Sequence, residues 1–140
     1  MQITTKLRAE HNVILRLIDD FYVMLSAPQP PAGINLLKFR TGFSKQLLAH
    51  LASEDMLLYP RMKQNPDAAV ARTAHTFSTE MGGLLTAYKD WSGRWSSERL
   101  QGEWPQFVAE TRELLGALAK RISRENAELY PLVEGKARAA

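Results

Sequence analysis

A chain of 140 residues, 45% hydrophobic and 24% charged, has ordinary globular composition and enough length to bury one core, so a single domain over residues 1–140 is expected. It contains no cysteine and three histidines, which excludes disulfides, thiolate metal sites and thiol chemistry and leaves any metal to histidine, carboxylate or water. A net charge of +3 is spread along the chain rather than gathered in a stripe, which argues against nucleic acid; with no signal-like N-terminus and no apolar run near the ~20 residues of a membrane span, a soluble cytoplasmic protein is expected.

The first predicted helix runs from Thr5 to Ser26, where Leu7, His11, Ile14, Ile18, Phe21 and Leu25 recur at alternating steps of four and three, the seam of a bundled helix. The run APQPPAG from Ala27 to Gly33 stops it. A second seam through Phe43, Leu47, His50, Glu54 and Leu57 predicts a helix from near Asn35 to about Pro60, whose missing N–H and ring clash end or bend it; a short remnant or turn, RMKQN, precedes Pro66. The third predicted helix begins at Asp67, just after Pro66, and continues towards Trp95. Its apolar arc carries Ala74, Phe77, Met81, Leu84, Leu85 and Tyr88, with His75 at the edge among small residues. The far side of that arc, with Tyr88, Trp91 and Trp95, is wider than one core requires, so a covering loop or a homodimer contact is expected there. The polar stretch Ser96 to Gly102 precedes a fourth helix from about Trp104 to Val133, with Leu115, Leu118, Ile122, Glu125, Leu129 and Leu132 in register and Pro131 near its end. The tail after Val133, EGKARAA, reads as polar and frayed. With no competing strand pattern, the fold class is all-α, an antiparallel up-down-up-down four-helix bundle.

An internal repeat supports this layout. HLASEDMLLYP (His50 to Pro60) aligns without gaps with RISRENAELYP (Arg121 to Pro131) at an offset of 71 residues, and His11 and His75 are 64 apart. The chain thus reads as two helical hairpins. His50 and Glu54 lie one turn apart and project from one face, so they can share one metal centre. His11 sits mid-seam, and Glu54 and Glu125 occupy inward positions where a carboxylate needs a cation or else takes up a proton. Histidine and carboxylate converging from several helices make an N/O site suited to iron, manganese or zinc.

The order His, His-x-x-x-Glu, His, x-x-x-x-Glu, with Leu-Tyr-Pro closing each second motif, resembles the hemerythrin-like HHE cation-binding domains over nearly the whole chain, from His11 to Pro131. The resemblance implies two non-haem irons between the helices, bridged by carboxylates, with O₂ or a related small molecule at an open iron position. By position it implies His11, His50, Glu54, His75 and Glu125 as ligands, the two glutamates bridging. Arg121 stands where the family has its remaining histidine. A guanidinium has no lone pair for a metal, but from one turn before Glu125 it can fork between Glu125 and Glu54 in place of one ion. The expectation is therefore a single metal or none, rather than a full di-iron cluster.

Blander readings accompany each residue: a satisfied core histidine for His11, an ordinary i,i+4 hydrogen bond for His50 and Glu54, an exposed side chain for His75, and a guanidinium reaching solvent for Arg121. Tyr59 and Tyr130 read as amphipathic residues at the bundle's end, with hydroxyls near solvent. Two functions compete. The first is reversible binding at non-haem iron, for O₂ or NO binding, sensing or iron storage, with enzymatic turnover ranked below it. The second is a metal-free bundle in which the Arg121–Glu ion pairs replace the metal and the protein acts as an interaction or regulatory module.

Overall fold

Four long helical rods, α1 and the segments described next, are set by the seams above, and a computed structural model describes residues 2–135 of the chain. Helix α1 spans Gln2–Leu25 and α2 spans Gly33–Ser53. A π-helical turn, π1 (Glu54–Leu58), continues α2 into α3 (Tyr59–Lys63). After Asp67, whose side chain caps the helix by accepting from the Ala69 N–H, come α4 (Ala68–Met81) and α5 (Leu84–Arg94). A short α6 (Ser97–Gly102), capped by Ser96, leads to α7 (Trp104–Arg124), which passes through π2 (Glu125–Leu129) into α8 (Tyr130–Glu134). Helix α1 packs on α2 and α7, and α5 packs on the same two, which closes the antiparallel four-rod bundle; no strand occurs among the described residues.

Several expected boundaries shift. The second rod continues past Pro60 to Lys63, and the fourth, expected to reach Val133 beyond Pro131, runs to Glu134. Each passes through a π turn in which the N–H five residues on, Tyr59 or Tyr130, bonds the carbonyl of Glu54 or Glu125. Each proline then falls in the first turn of the next segment, where a missing N–H leaves nothing unpaired. The third rod breaks at Gly82–Gly83, and a Cβ on Gly82 would lie 2.4 Å from the Ser78 carbonyl oxygen, so glycine is required at the break. The stretch from Ser96 to Gly102 is helical rather than a plain connection. Of the tail read as frayed, Glu134 is held by Arg8, whose Nε and Nη2 donate to it at 2.8 and 2.9 Å; its residues beyond Gly135 lie outside the described residues.

The surplus aromatic arc is also explained. Tyr88, Trp91 and Trp95 are buried against Phe43, Phe107 and Trp104 within the same chain. Of the two expected alternatives, a cover within the chain or a homodimer contact, these rings have the first: α6 and the start of α7 fold over them, and Arg40 lies on Trp91 from the α2 side. The apolar core comes in two parts. A larger cluster runs from Ile14, Leu47 and Leu118 to the aromatic end, and a smaller one holds Leu7, Leu58, Phe77 and Leu129. Between them lies a layer of buried polar side chains: His11, His50, Glu54, Arg121 and Glu125.

Candidate metal centre

The layer is built by register. On α1, His11 falls between Leu7 below and Ile14 above, so the seam that buries those two carries the imidazole inside with them. His50 and Glu54 enter from the second rod and Arg121 and Glu125 from the fourth. The donor atoms of His11, His50, Glu54 and Glu125 all lie within 4.8 Å of one another, a group that could hold a metal ion. The structure thus brings together four of the five expected ligands and Arg121.

His75 does not join them. On α4 the inward stripe is Val70, Ala74, Phe77 and Met81, and His75, one residue past Ala74, is exposed beside Thr76, Thr79 and Glu80. The side of the layer that faces α4 is instead filled by Arg121, whose Nη1 donates to the Met81 carbonyl at 3.2 Å.

Each buried imidazole is anchored from outside. His11 Nδ1 lies 2.8 Å from Asn126 Oδ1, and His50 Nδ1 lies 2.7 Å from Glu10 Oε1. Both partner oxygens only accept, so each Nδ1 carries the hydrogen and each Nε2 turns inward, the outer-shell arrangement that orients metal-bound histidine. His11 Nε2 sits 3.1 Å from Glu125 Oε1 and 3.7 Å from Glu54 Oε2. His50 Nε2 is 3.2 Å from Glu54 Oε1 yet off line for a hydrogen bond, and it is buried with no partner among the described residues.

Arg121 occupies the remaining flank. It is 1% exposed, donates through Nε to Glu125 Oε2 at 3.0 Å, and through Nη2 to Glu54 Oε1 at 3.1 Å and Asp55 Oδ1 at 2.8 Å. The guanidinium therefore forks between the two central glutamates as its chemistry predicts, and does not reach for solvent. Burial opposes its charge, but Glu125 and Glu54 outweigh burial and raise its pKa above the ordinary value.

Sequence reasoning missed the two tyrosines. Both are buried, and their hydroxyls cross between the hairpins: Tyr59 donates to Glu125 Oε2 at 2.7 Å, and Tyr130 donates to Glu54 Oε2. Tyr130 also stacks on the His11 ring, with centroids 5.1 Å apart. In an ideal α-helix, residues five apart point about 140° from each other, which placed the tyrosines off the glutamate face. The extra residue of each π turn closes that angle, and the one available signal was the repeat of Glu, Leu, Tyr and Pro in both halves.

The charges of the layer are coupled. Burial pushes Glu125 up to about 7, helped by the charge of Glu54. Burial also opposes ionisation of Glu54, but the nearby His11 and His50 imidazoles win and hold it well below the usual carboxylate value. Burial lowers His11, yet its hydrogen bonds to Glu125 and Glu54 prevail and raise it to about 9. His50 is raised too, against burial, chiefly by Glu54. Three carboxylates, Glu54, Glu125 and Asp55, face one guanidinium, so the layer retains negative charge that a proton or a divalent ion must offset. Two inward imidazole nitrogens, which offer lone pairs once a metal displaces their protons, together with two carboxylates form a donor set that fits a metal cation.

Comparison with known proteins agrees with the geometry. The family described as hemerythrin HHE cation binding domain matches residues 2–133. No curated protein and no solved structure matches the chain. Among the described residues, no helix is long and apolar enough to cross a membrane.

Proposed function

The chain belongs to the hemerythrin HHE cation-binding family, and on that premise we propose that it holds one non-haem iron ion among His11, His50, Glu54 and Glu125, with Arg121 taking the charge role of a second ion. One observation carries the reading: buried His50 Nε2 and Glu54 Oε1 face each other at 3.2 Å with no aligned hydrogen bond between them. Such an approach inside a core calls for a cation at that spot.

Mixed imidazole and carboxylate donors suit iron, with manganese and zinc as competitors for the same atoms. When bound, the iron supplies an open position for a small molecule such as O₂ or NO, and we read the role as cytoplasmic binding, sensing or storage rather than turnover. The chain's own residues do the remainder. Glu10 and Asn126 fix the imidazole tautomers; Tyr59 and Tyr130 hold the outer oxygens of the glutamates. The apolar layers above and below exclude water, and Arg121 removes the need for a second cation.

Protein reconstituted anaerobically with ferrous iron is expected to hold one iron per chain. An ion present at about 100 times its Kd stabilises by about 2.7 kcal/mol, so a strong chelator lowers Tm. Two irons per chain would overturn the single-ion reading. A second reading is favoured by the Arg121 contacts themselves, which already satisfy Glu54, Asp55 and Glu125 in part. In it the bundle is metal-free and serves as an interaction or regulatory module, and the chelator leaves Tm unchanged.

A further inference from the structure

A second buried arginine sits near the other end of the bundle. Arg40 on α2 is ten residues before His50, about 15 Å away at 1.5 Å per helical residue. It is 9% exposed, and its guanidinium lies over the rings of Trp91 and Phe107 at 4.8 and 5.6 Å. Its protein acceptors are two backbone carbonyls, those of Trp95 at 2.7 Å and Ser92 at 3.4 Å. Unlike Arg121, it has no carboxylate partner among the described residues. Of the five guanidinium N–H groups, most are therefore left to whatever occupies the space in front of them.

That space is a pocket of about 370 Å³ between α2 and the α5–α6 junction, lined by Arg40 together with Ser44, Ser92, Ser96, Ser97 and Trp95, and by no acidic residue. Ser92 and Ser97 hydroxyls have no hydrogen-bond partner among the described residues, and Ser96 Oγ accepts from the Arg99 N–H, which leaves its own O–H to donate; Ser44 Oγ is paired with the Tyr88 hydroxyl at 2.6 Å, and Thr41 Oγ1 donates to the Leu37 carbonyl. A buried guanidinium beside the free hydroxyls of Ser92, Ser96 and Ser97, with negative charge missing from the lining, matches an anion with several acceptor oxygens. We propose that this pocket binds a tetrahedral oxyanion, phosphate or the phosphoryl group of a small molecule, independently of the metal centre. A flat carboxylate would engage the guanidinium fork but leave the hydroxyls unused; a phosphoryl group employs both.

The test is calorimetric titration of the full chain with inorganic phosphate at constant ionic strength, with glycerol phosphate and acetate as parallel probes. Saturable binding of phosphate at one site per chain is expected, with acetate weaker; tighter binding of glycerol phosphate than of the bare ion assigns the source to a phosphorylated molecule. Arg40→Gln should weaken binding roughly tenfold or more, the loss of a charge-assisted contact. Because Arg40 also supports the Trp91 ring, Ser97→Leu provides the second variant: it obstructs the exposed mouth without touching the guanidinium, and should weaken binding while leaving the circular dichroism spectrum unchanged. No saturable phosphate binding, a preference for acetate, or affinity unaltered in Ser97→Leu would overturn the proposal.

Discussion

Replacing Arg121 by histidine tests the central substitution directly. In the repeat, Arg121 corresponds to His50, and His50 places Nε2 3.2 Å from the glutamate one turn on. A histidine at 121 should present its ring to Glu125 in the same way, where Arg121 Nε now bonds Oε2 at 3.0 Å. It cannot reach the groups at the far end of the fork. The bonds from Nη2 to Glu54 and Asp55 and from Nη1 to the Met81 carbonyl are lost, leaving two carboxylates and a carbonyl short of a donor. Breaking a buried ion pair on one side costs about 3–5 kcal/mol. For a chain of this size 1 kcal/mol moves Tm by roughly 3 °C, so metal-free Arg121→His should melt about 10 °C below the parent.

Metal should reverse the sign. With an extra imidazole and the guanidinium gone, the same layer offers donors and negative charge for a second ion, so anaerobic ferrous titration followed by iron analysis should give two irons per chain in the variant and one in the parent. The stabilisation by iron should then exceed that of the parent. The reasoning is refuted if the variant takes up no more iron than the parent, or if its metal-free form melts at the parental temperature, because the fork would then be neither a barrier to metal nor a support of the core.

Three further outcomes follow from named contacts. Glu10→Ala removes the acceptor that holds His50 Nδ1, and loss of an outer-shell partner of this kind should weaken iron binding by roughly 10–100-fold, read by competition with a calibrated chelator. Tyr59→Phe leaves Glu125 Oε2 without its hydroxyl donor and should lower stability by about 1–3 kcal/mol in urea titration while iron content stays at the parental value. The metal-free protein should lose stability as pH rises: His11, raised to about 9, contributes fully below its unfolded value near 6.5 and loses that contribution as pH passes through about 9. Glu125, raised to about 7, acts in the same direction between its unfolded value and about 7, because the folded state again binds more protons; Glu54, held low, matters only in acid. Metal competes with those protons, so iron affinity should instead increase from pH 6 to 8, and a flat Tm profile of the metal-free protein would contradict the assigned protonation.

The seams and breakers in the sequence were enough to place the rods, because four-and-three spacing of Leu7, Ile14 and Phe21 has one meaning in a chain with no strand signal. The same spacing put His11, His50, Glu54, Arg121 and Glu125 inside. It failed where the helix stops being α-helical. Across π1 and π2 the angular step changes, so Tyr59 and Tyr130 moved from the expected rim into the polar layer. His75 was placed at the edge of the arc through Ala74 and Phe77 and joined the ligand set only through the resemblance; the structure has the exposed side chain that was its alternative reading. The aromatic surplus of the third rod was read correctly as surplus, but its cover, α6 with Trp104, lay in a stretch whose polar composition hid a short helix.

The loss of one histidine and the exposure of another have a common physical account in Arg121. A guanidinium long enough to span from Glu125 to Glu54, and on to Asp55 and the Met81 carbonyl, fills the volume on the α4 side where a ligand from that helix would have to enter. Lysine in its place would carry the same charge as a single point and could not bridge two carboxylates held by separate rods. Once that side is closed by a cation of the protein's own, an inward His75 has nothing to coordinate, and its exposure on α4 carries no penalty. The opposite side keeps its two anchored imidazoles and the glutamate oxygens that face them, which is why the proposed reading is a single ion there, with the charge of a second supplied by Arg121.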